Sequence, residues 1–431
     1  MKRKFYNTLL EWKEDENKKP LMVIGARQVG KTYIIDKFCK EEYKNYVYLN
    51  FDKDEDLISI FERTKDPKKI LESIEIIYNV SINIENTIIF LDEIQICENA
   101  INSLKYFCES NDRYNIICAG SLLGVKLNRY TSSFPVGKVR IENLNPMDFE
   151  EFMMAIGEDK LIFNIKECFN NDIPMIEALH LKALDLYRKY LCVGGMPASI
   201  LEFLNCNINI NNFIGKEKED IITSYIADMA KYTTSTEAIK IHDIYKGLSR
   251  QLSKENKKFK YQLINSNARS REYSTPMEWL VQSEIVLRCN MIVSPKIPLE
   301  GYKDDSIFKI YFNDIGLFVT HSKTPLNEII LNTNMLYKGA IAENYVAQTL
   351  KSKKYELYYF KIDNKLEVDF LIYKDDGVIP IEVKASDNTR STSLNNYIKM
   401  FNPKYAIRIS TKNFGFENNI KSIPLYAAFL I

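Results

Sequence analysis

"PLMVIGARQVGKTYIIDKF", residues 20–38, runs from a short apolar stretch through a glycine-bearing loop into an amphipathic segment. That order reads as strand, loop and helix. Inside it, Gly25, Gly30, Lys31 and Thr32 match the pattern G-x-x-x-x-G-K-[ST]. The glycines let the backbone N–H groups of Gly25, Ala26, Arg27, Gln28, Val29 and Gly30 wrap a phosphate. The helix that opens with Lys31, Thr32 and Tyr33 adds the positive end of its dipole. Lys31 is then expected on the β- and γ-phosphates of ATP, and Thr32 on Mg2+. A tight glycine turn that binds nothing is the alternative, but with 15 glycines in 431 residues an accidental match to the whole pattern is rare.

Outward from this stretch, strands and helices alternate. Strands are expected at 45–51 ("NYVYLNF"), within 86–95 ("NTIIFLDEIQ") and at 114–121 ("YNIICAGS"), with helices around 56–63 and "AINSLKYFCES" between them. Such alternation implies right-handed crossovers and a parallel sheet covered on both faces, an α/β fold. "IIFLDE" ends an apolar strand in Asp92 and Glu93. The first carboxylate is placed to hold Mg2+ together with Thr32, the second to polarise an attacking water. A helix N-cap would also explain an isolated "DE" after an apolar run. Ser121, ending the next strand, is a candidate sensor of the γ-phosphate or a turn cap.

Bulk composition narrows the class. Charged residues make up 27% and hydrophobic ones 46%, the profile of a soluble globular chain of two to four domains. A net charge of +1 predicts no global attraction to nucleic acid, so any such surface must be local. Cys39, Cys97, Cys108, Cys118, Cys168, Cys192, Cys206 and Cys289 are scattered without a CxxC pair, which argues against a zinc site or a disulfide framework. No apolar run has the length of a membrane span, and "MKRKFYNTLLEWKEDENKK" is too charged for a signal peptide. The cytoplasm is the expected location. His180, His242 and His321 show no ligand spacing.

Residues 145–235 read as helical, and 236–295 as short helices followed by a strand at "NMIVSP". "MLYKGAIAENYVAQTLKS" (335–352) predicts an amphipathic helix, followed by "YELYYFKI" and the hairpin "KLEVDFLIYKDDGVIPIEVKAS" (365–386). In the hairpin Glu367 and Asp369 alternate with Leu366, Val368 and Phe370, while Glu382 and Lys384 alternate with Ile381 and Val383. A loop "KDDG" sets Tyr373 against Val378 and Asp369 against Glu382; a loop of Asp376–Gly377 alone sets Asp369 against Lys384. Either way Asp369, Glu382 and Lys384 share a face, with neighbouring Cβ atoms roughly 5 Å apart. Two carboxylates that close repel, and a divalent cation is one relief. The ordinary wet side of a sheet is the other reading.

"GARQVGKT", "FLDEIQ" and "AGSLLG" resemble the AAA-type P-loop ATPases of bacteria and archaea whose C-terminal half is a winged helix plus a restriction-endonuclease-like domain. "YLCVGGMPASI" (190–200) and "KIYFNDIGL" (309–317) look like later landmarks of that family. The resemblance implies an AAA-like ATPase domain at 1–150, a helical lid or linker at 151–235, a winged helix at 236–320 and a nuclease-like α/β domain at 321–431. It also implies ATP and Mg2+ as cofactors. Asp369, Glu382-Val383-Lys384 and the helical Glu343 resemble the PD-(D/E)xK nuclease pattern. There carboxylates such as Asp369 and Glu382 hold the metal, Glu343 adds a third, and the lysine helps activate water. One departure is Gly137-Lys138, where relatives carry Gly-Arg: lysine lacks the planar fork of an arginine finger. Arg113, Arg129 and Arg140 remain as candidates for that role.

Between 250 and 275, Arg250, Lys254, Lys257, Lys258, Lys260, Arg269 and Arg271 face only Glu255 and Glu272. In a winged helix such a surface would meet a phosphate backbone, or it is a solvated face; Arg269 or Arg271 would otherwise reach a nucleotide in a neighbouring lobe. Two functions are consistent with these features. One is an ATPase whose nucleotide state repositions a DNA-binding, nuclease-like half, with DNA and further copies of the chain as partners. The other is an ATP-controlled signalling switch in which the hairpin is a catalytically silent scaffold. A plain nuclease with a vestigial nucleotide domain is a weaker third reading, because Gly30, Lys31, Thr32, Asp92 and Glu93 are all present.

Overall fold

The inner strands of the N-terminal sheet are apolar along their length because side chains are buried on both of its faces. In the computed structural model, which describes all residues except 111, 122–134, 136, 232–233, 255–256, 265–268, 334, 363–365 and 387–391, the chain divides into two units. The first holds Met1–Asn145 and Gln282–Glu284, the second Pro146–Val281 and Ile285–Ile431.

The first unit begins with α1 (Phe5–Glu14), β1 (Leu21–Ile24), α2 (Lys31–Glu42), β2 (Asn45–Asn50), α3 (Glu55–Arg63) and α4 (Pro67–Tyr78). It continues with β3 (Thr87–Asp92), α5 (Glu98–Glu109), β4 (Asn115–Ala119) and β5 (Arg140–Asn143). All five strands are parallel, in the order β2-β3-β4-β1-β5. β3 and β4 are buried at every position, whereas the edge strands β2 and β5 are only partly covered. β5 has no apolar run to mark it in the sequence. Leu57, Phe61, Ile70, Ile74, Ile101 and Leu104 of α3, α4 and α5 pack on Leu49, Ile89, Leu91 and Cys118. Val23, Ile88, Phe90 and Ile117, alternate along the same strands, are also buried. Asp54 caps α3 by accepting from the N–H groups of Asp56 and Leu57, and Asp66 caps α4, where Pro67 needs no partner.

The second unit opens with helices: α6 (Phe149–Ala155), α7 (Asp159–Asn171), α8 (Glu177–Val193), α9 (Pro197–Asn205), α10 (Lys216–Lys231), α11 (Ser235–Leu252) and α12 (Ser270–Gln282). A mixed sheet follows, with β6 (Val286–Ile292), β7 (Lys303–Phe312), β8 (Tyr358–Ile362), β9 (Leu366–Lys374), β10 (Gly377–Val383), β11 (Ala406–Ser410), β12 (Gly415–Glu417) and β13 (Ile420–Pro424). Their order is β12-β13-β11-β10-β9-β8-β6-β7. β6 runs parallel to β8, so the hairpin β6–β7, expected within a separate winged helix, extends the sheet of the last hundred residues. α13 (Ile315–His321), α14 (Leu326–Ile330) and α15 (Lys338–Ser352) lie between β7 and β8, and α16 (Thr392–Phe401) between β10 and β11.

The sequence pattern of α15 predicts an amphipathic helix, yet it is buried continuously from Ala340 to Leu350. Its polar residues are consumed by the interior. The Asn344 side chain accepts from the Phe312 N–H (2.7 Å) and donates to the Phe312 carbonyl (2.9 Å), while Gln348 accepts from the Ile315 N–H (2.8 Å) and donates to the Tyr190 hydroxyl (2.7 Å). The two later sequence landmarks meet in one joint. Asp314 caps α13 through Leu317 and accepts from the Gly195 N–H at 2.6 Å. A Cβ on Gly195 would lie 2.1 Å from the Met147 carbonyl oxygen, and one on Gly194 would lie 2.5 Å from the Asp314 carboxylate. No helix among the described residues is long and apolar enough to cross a membrane.

Candidate functional site

Parallel strands deliver their carboxyl ends to one edge of a sheet, so the loops that follow them converge there. β4 lies between β1 and β3, which sets Ser121 between the Gly25–Gly30 loop and the Asp92–Glu93 pair. Gly25 (φ +148°) and Gly30 (φ +91°) take conformations open to glycine, and Gln28 sits at φ +66° between them. A Cβ on Gly25 would meet the Leu144 carbonyl oxygen at 2.4 Å. Ala26 and Val29 are buried and Tyr33 is exposed.

Lys31 points back into the loop: its Nζ donates to the carbonyls of Gly25 and Ala26, each at 2.8 Å. Burial pushes its ammonium down to about 8, while Glu93, Glu284 and Asp92 work in the opposite sense. An anionic phosphate at this point would favour the charged form. The Thr32 hydroxyl donates to Asp92 Oδ2 at 3.1 Å, and burial raises the Asp92 carboxyl above its ordinary value. A hydroxyl and a carboxylate side by side are hard oxygen donors suited to Mg2+. The residues therefore fit Mg2+ and a nucleotide phosphate. Glu93, at φ +52°, accepts from the Gln95 side-chain amide and from the Ser121 hydroxyl at 3.4 Å.

Several neighbours carry no motif of their own. The Tyr48 hydroxyl (2.9 Å) and the Asn50 amide (3.3 Å), both from β2, donate to Asp92 Oδ2. The period-2 alternation of "NYVYLN" is the only sequence signal that these side chains share a face. Arg3 donates to the carbonyls of Val29 (2.9 Å) and Asn145 (2.6 Å). Glu284, distant in sequence, accepts from the side chain of Asn143.

In the second unit the hairpin β9–β10 turns at Asp375 and Asp376, both at left-handed φ (52° and 57°), the pair that a two-residue turn matched to strand twist requires. Tyr373 pairs with Val378, the alternative that sets Asp369 against Glu382, and Asp369 Oδ2 accepts from the Val383 N–H at 2.8 Å. Burial, then the nearby Glu343, push the Asp369 carboxyl up to about 7, opposed by Lys309 and Lys257. Glu343 is ion-paired to Lys257 and accepts from the Tyr311 hydroxyl at 3.2 Å. Burial would raise its carboxyl, but Lys257 and Lys309 prevail and hold it below the ordinary range. Lys309, 1% exposed, pairs with Glu367 at 2.8 Å, and Lys361 reaches the same carboxylate at 2.7 Å. Glu382 is buried, and one of its oxygens lies 3.2 Å from Lys384 Nζ.

Among the described residues no group of three or more His, Cys, Asp or Glu side chains is placed to hold a metal ion, so Glu343 does not join Asp369 and Glu382 as a third metal-holding carboxylate. Lysines share the space with the acids, and Lys384 partners Glu382. Lys309 escapes sequence reading because "IFKIYF" looks like an ordinary strand with one wet position.

Of the basic segment, Lys257 turns inward to Glu343. Arg140 pairs with Leu21 in the sheet register and salt-bridges Glu142 at 3.0 Å; with Arg113, just before β4, it lies at the sheet edge opposite the phosphate loop. Lys138 pairs with Glu109 at 3.0 Å. Arg129 falls outside the described residues. His180 bonds the Tyr426 hydroxyl at 2.8 Å and His321 packs against the rings of Tyr245 and Phe312, both structural positions. All eight cysteines are free thiols.

Residues 17–153 match the AAA domain family, so the first unit carries an AAA-type P-loop fold. Residues 184–328 and 338–428 match two domains of unknown function (DUF8612 and DUF4143). No curated protein sequence matches the chain. Among solved structures, the chain is similar to the Walker-type ATPase PABY2304 of Pyrococcus abyssi, at 14% identity over 74% of this chain and 94% of that one, with a TM-score of 0.46. The ORC2 protein of Aeropyrum pernix matches at 11% identity over 76% and 91%, TM-score 0.33. DnaA of Aquifex aeolicus, bound to AMPPCP, matches at 15% identity over 64% and 82%, TM-score 0.32. Likenesses at such TM-scores carry no functional weight.

Proposed function

We propose that the chain binds ATP with Mg2+ and hydrolyses it, and that its nucleotide state governs a DNA-binding, nuclease-like C-terminal half. The observation that carries this reading is the convergence of Lys31, Thr32, Asp92 and Glu93 at the carboxyl edge of a parallel sheet. Lys31 holds the β- and γ-phosphates, and Thr32 and Asp92 hold the metal. Bound Mg2+ supplies charge neutralisation on the transferring phosphate. Glu93, steadied by Gln95 and Ser121, orients a water and accepts its proton. The AAA match over residues 17–153 supports the same assignment. The divisions at 150 and 235, and assembly with further copies, belong to this proposal, as does DNA contact through Arg250, Lys254, Lys258, Lys260, Arg269 and Arg271; the division at 320 does not, because β6–β7 shares one sheet with β8–β13.

A second reading is favoured by one observation: Lys257, Lys309 and Lys361 pair with carboxylates of the acid cluster. On this reading the hairpin domain is a non-catalytic scaffold and the chain an ATP-controlled regulatory switch.

ATP turnover by wild type and Lys31→Ala tests the first claim. Loss of turnover in the variant supports it, and equally slow turnover in both refutes it. Plasmid and single-stranded DNA incubated with Mg2+ or Mn2+, with and without ATP, separates the two readings. Cleavage abolished by Asp369→Ala and by Lys384→Ala eliminates the scaffold.

A further inference from the structure

Gln282, Ser283 and Glu284 are separated from the nucleotide motifs by more than a third of the chain, yet they belong to the first unit. Glu284 is held there at φ +58°, a left-handed conformation that disfavours a non-glycine residue. Its carboxylate accepts a hydrogen bond from the Asn143 side chain. Asn143 ends β5 and is the register partner of Ile24, the residue immediately before Gly25. The Leu144 N–H donates to the Ile24 carbonyl at 2.9 Å. The Gly25 carbonyl in turn accepts from Lys31 Nζ. Glu284 therefore stands at the root of the phosphate loop. Its negative charge is felt at the Lys31 ammonium, on which Glu93 and Asp92 also act from β3 and Arg27 from the loop. One residue later the chain leaves this unit, and one more begins β6, whose flank is tied by Ile285: its N–H donates to the Leu280 carbonyl (3.2 Å) and its carbonyl accepts from the Asn313 N–H (3.2 Å).

We propose that Glu284 is a nucleotide-sensing residue, an anionic group at the phosphate loop that a γ-phosphate displaces, so that ATP rather than ADP loosens the segment leading into β6. The reason is electrostatic. A carboxylate and a phosphate that draw on the same lysine repel one another, and in a buried site that repulsion is poorly screened. This role rests on the ATP-binding reading above, and it gives that reading a route from the phosphate loop through Glu284 along the chain into β6.

The test uses the full chain, with Mg2+ present, and a fluorescent ATP or ADP analogue as probe. Glu284→Gln keeps the shape and a hydrogen-bonding oxygen for Asn143 while removing the charge. It should bind ATP about tenfold more tightly than wild type with a much smaller change for ADP, and Glu284→Asp should restore the wild-type ratio. In wild type, ATP but not ADP should speed hydrogen exchange at the backbone amides of 282–288, a readout that needs no variant to fold. Identical ATP-to-ADP ratios in wild type and Glu284→Gln, or exchange at 282–288 that ATP leaves unaltered, would overturn the sensing role alone. A wild type that binds neither nucleotide would overturn the ATP-binding reading and this one with it.

Discussion

Tyr48 sits on an edge strand and carries no motif, yet its hydroxyl donates to Asp92 Oδ2 at 2.9 Å. Tyr48→Phe removes that hydrogen bond while the ring remains against Phe90, 5.4 Å between centroids. A hydrogen bond to a carboxylate contributes about 1.5–3 kcal/mol. Tyr48 is 39% exposed, so water recovers part of it, leaving about 0.7–1.4 kcal/mol, or roughly three- to tenfold. The direction follows from the site. Burial already raises the Asp92 carboxyl and Tyr48 holds it down, so the variant raises it further and less of the carboxylate is ionised at a given acid pH. On the ATPase reading, the Mg2+ concentration for half-maximal turnover should rise roughly three- to tenfold, and the acid limb of the rate profile should move to higher pH. Steady-state ATP turnover against Mg2+ at several pH values measures both. Superimposable curves for wild type and Tyr48→Phe, at equal thermal stability, would refute the claim that Tyr48 positions Asp92.

Gly195→Ala should destabilise the second unit by about 2–4 kcal/mol, because its Cβ would fall 2.1 Å from the Met147 carbonyl oxygen; an unchanged melting temperature would contradict that packing. Lys309→Met should cost about 1–3 kcal/mol in urea unfolding, because Glu367 loses its buried partner but keeps Lys361 in a partly exposed setting, and an equally stable variant would show that the buried pair is no better than an apolar one. Asp369 has its folded-state carboxyl raised to about 7 from an ordinary 3.8. Between those values the folded chain binds more protons than the unfolded one, so this group's contribution to stability is present below pH 4 and declines as pH rises toward 7. Asp369→Asn should flatten that slope in denaturant titrations at pH 5 and pH 7, and an unchanged slope would rule Asp369 out as its source.

Features written in consecutive residues were legible from the chain alone. The phosphate loop is one uninterrupted stretch, so Gly25, Gly30, Lys31 and Thr32 declared a local strand–loop–helix backbone. Asp92 and Glu93 were legible because a strand buried on both faces appears as a plain apolar run with its polar end exposed to view. The hairpin was legible to within two registers, and the left-handed pair Asp375–Asp376 chose between them. Tertiary structure alone decided which side chains complete each site. Tyr48 and Asn50 reach Asp92 across a strand pair, and Glu284 reaches Asn143 across 141 residues. Lys257 and Lys309 enter an acid cluster that the sequence offers as a row of carboxylates with one lysine. The physical reason is common to all of these: a carboxylate taken from water is compensated by whatever hydrogen-bond donor or cation the fold brings near, and that partner can come from any distance along the chain.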